Sequence, residues 1–252
     1  MEKKISEIKK EFEMAGTEKL SELFAEYADD SRAGVAGLIR QYRKKEEALH
    51  KEMARIEDMK TYEREYERIG WVCGIDEAGR GPLAGPVVAG AVILPKDSKI
   101  LYLNDSKKLS EKKREELFDV IMEQAVAVGV GIVGPERIDE INILQATYEA
   151  MRQAIGKLAI VPQILLNDAV TIPQVIIPQV PIIKGDAKSV SIAAASIVAK
   201  VTRDRLMKEY DEQMPEYGFA SHKGYGSAAH IEAIKKYGPS SIHRRTFLTH
   251  FV

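Results

Sequence analysis

The stretch CGIDEAGRGPLAGPV, residues 73–87, joins an apolar run to two adjacent carboxylates, a glycine-rich turn carrying an arginine, and a second β-branched run. Gly79, Gly81 and Gly85 superficially suggest a dinucleotide-binding turn, which holds a pyrophosphate on the backbone N–H groups of a helix N-terminus. Here the spacing is G-x-G-x-x-x-G, and PVVAGAVILP follows, which reads as a strand paired with the first in an antiparallel hairpin. With no helix behind the turn there is no dipole to hold a phosphate. GDAKS at 185–189 likewise lacks the Gly-Lys-Ser ending and the earlier glycine of a phosphate-binding loop.

Working outward, the chain divides by texture near Ile69 and Gly70. Residues 1–70 contain no proline and are dense in Glu, Lys, Arg and Ala, which predicts a small all-helical domain. Asp30 and Ser31 offer a cap for a long third helix whose apolar stripe is Val35, Leu38, Tyr42, Leu49, Met53, Ile56 and Met59. The segment holds 15 Lys and Arg against 17 Asp and Glu, with Arg40, Arg43, Lys44 and Lys45 clustered. Such a cluster reads either as a solvated helix face or as an aid to nucleic-acid binding. From Trp71 onward, short β-branched runs alternate with helical stretches, the pattern of an α/β domain over 71–252. Strands are predicted at 71–76, 87–94, 125–133, 164–168 and 180–183, with helices from Ser110, Pro135, about Ser189 and about Ser227. Prolines 173, 178 and 181 mark an extended connection or an edge strand.

Composition excludes several function classes. Hydrophobic residues at 45% and charged residues at 30% are ordinary globular usage, and no run approaches the roughly 18 apolar residues of a membrane span. The opening MEKKISEIKKEFEM has no apolar core or cleavage site of a secretory signal. A lone cysteine, Cys73, rules out an internal disulfide and suits a reducing compartment, so a cytoplasmic location without a membrane partner is expected. Cys73 itself sits in an apolar run and reads as core. Net charge of −1 argues against coating nucleic acid by bulk charge, leaving a local basic groove as the alternative. His222, His230, His243 and His250 carry no HExxH spacing and no cysteine partner, so a zinc site is not expected.

The carboxylates carry the chemistry. Asp76 and Glu77 leave an apolar strand side by side, which is costly unless something positive sits there. Asp168 ends the apolar run in QILLNDAV, and Asp186 in IIKGDAKS precedes a helix with small residues at Ala193, Ala194, Ala195 and Ser196. Four acids delivered to strand ends and one helix start suit a hard divalent cation such as Mg2+, which takes a few carboxylate oxygens and keeps waters for substrate to displace. In SHKGYGSAAH, Tyr225 between two glycines is badly placed for a core and well placed to stack on a sugar or base.

Four blocks, GIDEAGRGPLAGPV at 74–87, NDSKKLS at 104–110, KGDAKSVSIAAASIVAKVTRD at 184–204 and HKGYGS at 222–227, resemble the type 2 ribonuclease H (ribonuclease HII) family in consistent order. The helical N-terminus is similar to the extension of some Gram-positive members. The resemblance implies a ribonuclease H-like fold, a mixed central sheet flanked by helices. It also implies cleavage of RNA in RNA/DNA hybrids and incision at single ribonucleotides in duplex DNA, with Mn2+ or Mg2+ held by Asp76, Glu77, Asp168 and Asp186. It further implies that Gly79, Arg80 and Gly81 meet the ribose 2′-hydroxyl, that Tyr225 packs on the sugar, and that Lys107, Lys108 and Lys223 contact phosphate. A monomer is expected. The rival expectations are type 3 ribonuclease H, whose first-strand motif lacks Gly-Arg-Gly, and a hybrid-binding module without catalysis, in which an acid would be missing.

Overall fold

The computed structural model describes residues 3–249, which divide into two compact units, 3–55 and 56–249. The first holds α1 (Ile5–Met14), α2 (Thr17–Glu26) and most of α3 (Ala33–Met59). Ile8, Phe12, Leu23, Phe24, Tyr27 and Val35 form its core, with Leu38 and Tyr42 packed on it. The Phe12 ring lies 5.0 Å from Tyr42 and 5.8 Å from Phe24, centroid to centroid. Just ahead of α3, Asp30 accepts the Arg32 N–H at 3.0 Å.

The apolar stripe foreseen along α3 serves two cores. Val35, Leu38 and Tyr42 belong to the first unit, Met53 is 47% exposed, and Ile56 and Met59 are buried in the second. The compact division therefore falls inside α3, ahead of the change of sequence texture near residue 70.

In the second unit, β1 (Val72–Ala78), β2 (Val87–Ile93), β3 (Ala127–Val133), β4 (Ile164–Asp168) and β5 (Gln179–Ile182) form one sheet in the order β3-β2-β1-β4-β5. β1–β2 and β2–β3 are antiparallel, confirming the hairpin read from PVVAGAVILP, whereas β1–β4 and β4–β5 are parallel. Helices follow as α4 (Thr61–Tyr66), α5 (Glu111–Gln124), α6 (Pro135–Gly156), α7 (Val190–Gln213), α8 (Phe219–His222) and α9 (Ala228–Tyr237). Ser110, Ser189 and Ser227 each accept a backbone N–H from the first turn of α5, α7 and α9, and Pro135 opens α6. β5, which contains Pro181, is an edge strand, where a missing ladder donor does least harm.

α7 and α5 cover one face of the sheet through Val92, Ala193, Ala194, Ile197, Val198, Leu117 and Ile121. α6 covers the other through Cys73, Ile75, Ala89, Ala91, Ala150 and Met151. Gly74 has no room for a Cβ because the Ser191 backbone of α7 lies directly on it, so the small-residue helix rests on β1 as its sequence foretold. Burial pushes the Cys73 thiol up, consistent with an inert core cysteine.

α6 is not one straight helix. Asn142 has φ 65° and its Oδ1 accepts the N–H groups of Leu144 at 3.0 Å and Gln145 at 3.1 Å, so it caps the second half of α6. No sequence break announces this, since ERIDEINILQ keeps a helical composition throughout.

Candidate active site

Pairing of β1 with β4 brings the first three acids together. Ile75 is in register with Asn167, so Asp76 and Asp168 follow at the same level of neighbouring parallel strands. Asp76 and Glu77 lie within β1 rather than beyond it, opposite Gly90 and Ala89 of β2. Consecutive strand residues leave on opposite sides, and the two carboxyls find different partners. Asp76 accepts from Ser196 of α7 and from the Glu77 N–H at 2.7 Å, while Glu77 lies 3.4 Å from the Arg80 guanidinium.

The fourth acid is delivered by a short link. Asp168 Oδ1 accepts the Gly185 N–H at 2.7 Å, drawing the 3-10 turn Gly185–Ala187, and with it Asp186, to the end of β4. Lys184, just ahead, takes the left-handed conformation at φ 58°. Ser189 then caps α7, with its Oγ accepting the Ile192 N–H at 3.1 Å.

These groups share one electrostatic field. Burial, then the charges of Glu77 and Asp168, hold the Asp76 carboxyl well above the usual range. Glu77 is raised by burial against the opposing pull of Arg80. Asp186 is pushed up to about 6 by burial and by Asp105 and Asp168. Asp105 lies inside the NDSKKLS block yet was not singled out from the sequence. Its Oδ1 also accepts the Lys107 N–H at 3.0 Å, fixing the 3-10 turn Ser106–Lys108.

Glu77 and Asp168 border a groove of about 850 Å3 lined also by Gly79, Arg80, Gly81, Ser106, Lys107 and Tyr225, together with Arg114, Ile143, Ser196, Lys200 and Arg203, while Asp76 and Asp186 lie outside that lining. A Cβ placed on Gly81 would stand in ordinary van der Waals contact with Tyr225 Cε1, at 3.8 Å, so the tyrosine ring flanks the glycine turn. Tyr225 is 46% exposed, as a stacking platform requires. Of the three predicted lysines, Lys107 reaches the field of Glu77 and Asp186. Lys108 is exposed outside the groove lining, and Lys223 turns its ammonium onto the Ala220 carbonyl.

A divalent cation fits this donor set. All the donors are hard carboxylate oxygens, three of them with a raised proton affinity that a cation would relieve. Among the described residues no three His, Cys, Asp or Glu side chains close into a cage around one point.

The histidines do other work. Ser240 donates its N–H to His243 Nδ1 at 2.9 Å, His243 Nε2 lies 3.0 Å from His230 Nε2, and His230 Nδ1 lies 2.9 Å from the Tyr225 carbonyl. A backbone donor at one end and a carbonyl acceptor at the other permit one neutral arrangement, in which His243 Nε2–H donates to His230 and His230 Nδ1–H to Tyr225. His222 stacks on His230 at 4.3 Å. The relay anchors the Tyr225 loop from beneath; His250 lies outside the described residues. Two buried arginines, Arg203 and Arg244, lie under the glycine turn and were also not foreseen.

Comparisons with known proteins agree in one direction. The family model described as Ribonuclease HII matches residues 73–250, and that of the Ribonuclease HII N-terminal domain matches 4–67. The chain is 64% identical over 245 residues to a ribonuclease HII of Lachnoclostridium phytofermentans, covering 97% of this chain and 96% of the relative. It is 54% identical over 249 residues to that of Clostridioides difficile, covering 98% of each. Among solved structures, ribonuclease H2 of Pyrococcus horikoshii superposes with a TM-score of 0.59 at 33% identity, covering 70% of this chain and 93% of that one.

Proposed function

The chain belongs to the ribonuclease HII family and is a ribonuclease H, an endonuclease with the ribonuclease H-like fold, and from that premise we propose its substrate and chemistry. It hydrolyses the RNA strand of RNA/DNA hybrids and incises duplex DNA on the 5′ side of a single embedded ribonucleotide, leaving 5′-phosphate and 3′-hydroxyl ends. The observation that carries this reading is the meeting, in one groove, of a carboxylate set at the ends of β1 and β4 with the Gly79-Arg80-Gly81 turn and Tyr225.

Asp76, Glu77, Asp168 and Asp186 would hold divalent cations, Mg2+ or Mn2+. The chemistry those cations supply is activation of water and neutralisation of charge at the scissile phosphate and the leaving 3′ oxygen. The chain's own residues do the selecting. Gly81, having no side chain, leaves the backbone of the turn open beside Tyr225, and that backbone reads the 2′-hydroxyl, the group that separates RNA from DNA. Tyr225 packs on the sugar at the RNA-to-DNA junction. Lys107, whose charge already acts on Glu77 and Asp186, lies where the phosphodiester must pass. Lys108 and Lys223 are assigned a weaker, long-range pull on the duplex. Residues 71–252 carry the reaction, and residues 1–70 form a helical extension that aids binding. The protein acts as a cytoplasmic monomer; among the described residues no helix is long and apolar enough to cross a membrane.

The test is a labelled DNA duplex with one ribonucleotide, incubated with purified folded protein and Mn2+ or Mg2+. A nick on the 5′ side of that ribonucleotide is expected. An intact strand with both metals overturns the assignment.

A further inference from the structure

Arg203 and Arg244 are 1% and 0% exposed, and among the described residues neither has a carboxylate within ion-pair distance. Burial lowers the proton affinity of both, that of Arg244 to about 9. Asp204 and Asp139 act on them only through space, and two buried guanidinium charges with no carboxylate in contact are a poor way to stabilise a fold, so their hydrogen bonds indicate what they do.

Every one of those bonds ends on a backbone carbonyl of a substrate loop. Arg244 Nη2 donates to Gly79 O at 2.5 Å, Nη1 to Arg80 O at 2.9 Å, and Nε and Nη2 to Gly85 O at 3.0 and 2.8 Å. Arg203 donates to Pro86 O at 2.9 Å, Ala84 O at 3.0 Å and Lys223 O at 2.9 Å. Arg203 thereby ties the glycine turn to the loop that carries Tyr225. Gly79, at φ +94°, must lack a side chain because the Arg203 stem fills that space.

We propose that Arg203 and Arg244 are positioning residues of the ribose-reading turn. A trans peptide points its N–H opposite to its C=O, and the chain has no cis peptide. Pulling the Gly79 and Arg80 carbonyls inward onto Arg244 therefore turns the N–H groups of Arg80 and Gly81 outward to the groove, as fixed donors for a ribose hydroxyl or its phosphate. The two cations beneath add positive potential where a polyanion must settle. This inference rests on the reading that the turn meets the 2′-hydroxyl.

The test compares the unaltered chain with R244K on duplex DNA carrying one ribonucleotide, reading kcat and KM separately. Lysine keeps the charge but cannot serve three carbonyls with a planar fork. Misplacement of the turn is expected to lower kcat by on the order of 10²-fold while KM changes little, because the rest of the duplex contact is intact. A folded R244K with unaltered kcat overturns the proposal. If R244K does not fold, nitrogen-15 NMR of the unaltered chain decides. Arg244 side-chain N–H signals that exchange slowly and shift with the ribonucleotide duplex, but not with an all-DNA duplex of the same sequence, support it. Fast exchange, or the same response to both duplexes, overturns it. Failure of the unaltered chain to incise the duplex removes the underlying reading instead.

Discussion

Glu63 Oε1 accepts the Ser191 N–H at 2.9 Å, and the Ser189 hydroxyl donates to the same oxygen at 2.5 Å, so a residue of α4 closes the first turn of α7. Asp186 lies three residues ahead of that cap. The other oxygen, Oε2, is buried without a partner among the described residues, and burial raises the Glu63 carboxyl. E63Q keeps an acceptor for Ser191 and is expected to change unfolding free energy by less than about 1 kcal/mol. E63A leaves that end of α7 without its acceptor and is expected to cost about 1–3 kcal/mol in urea unfolding.

Truncation should separate the two units. Ile56 and Met59 are 2% and 4% exposed in the core beneath α5 and α7, and Glu63 caps α7, so all three belong to the second unit. Deletion of residues 1–55 is expected to leave a cooperative thermal transition and incision activity. Deletion of 1–69 removes these contacts too, and the loss of two buried apolar side chains at roughly 2–5 kcal/mol each should lower the melting midpoint sharply or prevent folding. Equal midpoints for the two truncations would contradict this assignment. Any fall in hybrid affinity specific to the 1–55 deletion reports on the basic cluster at Arg40, Arg43, Lys44 and Lys45.

The histidine relay sets an acid limit on stability. Burial lowers the affinity of His243 for a proton to about 4, with His230 contributing, and His230 is lowered in the same sense. Because the folded values lie below the ordinary 6.5, the neutral forms are favoured by folding. Their contribution is whole above pH 6.5 and is lost as pH falls toward 4. For His243 alone the loss amounts to about 2 kcal/mol by pH 5. The raised carboxyls of Glu63, Asp76, Glu77 and Asp186 act in the opposite sense as pH falls, so the relay is read as a difference: between pH 7.5 and 4.5 the urea midpoints of the unaltered chain and H243Q should diverge along this curve. A slope unchanged in H243Q would remove the relay as its source.

Much of this architecture was legible beforehand, for physical reasons that also mark the boundary of what could be read. Strand alternation, serine caps and the PVVAGAVILP hairpin are local, and local chemistry is written in neighbouring residues. Asp76, Glu77, Asp168 and Asp186 were visible because each interrupts an apolar run where a charge is costly. Arg203 and Arg244 were not. Their partners are carbonyls up to 165 residues away, and any residue type supplies a carbonyl. Asp105 was hidden inside a polar block, where one more acid raises no question, and Asn142 breaks α6 within an unbroken helical composition. The two lysines of NDSKKLS part for a related reason, since adjacency in sequence places Lys107 in the groove lining and leaves Lys108 exposed outside it.

Cation binding should be measurable without turnover. The charges of Glu77 and Asp168 raise the proton affinity of Asp76, and that of Asp168 raises Glu77, so the folded chain carries a repulsion that a divalent cation would relieve. Ligand that binds only the folded state stabilises it in proportion to the logarithm of its saturation, about 1.4 kcal/mol at ten times the dissociation constant. Mg2+ or Mn2+ is therefore expected to raise the melting midpoint of the unaltered chain by a few degrees, and chelation by EDTA should reverse the shift and abolish incision. D76N removes one of the buried like charges, so without metal it should be at least as stable as the unaltered chain. It should also lose most of the metal-induced shift, all measurable incision, and little of its affinity for the hybrid. A D76N protein that cuts, or that responds to metal as the unaltered chain does, would take Asp76 out of the cation site. Loss of hybrid binding together with cutting would instead make Asp76 a structural support of the groove, since a metal ligand is needed for the chemical step and D76N leaves Lys107, Arg80 and Tyr225, the residues proposed to meet the duplex, in place.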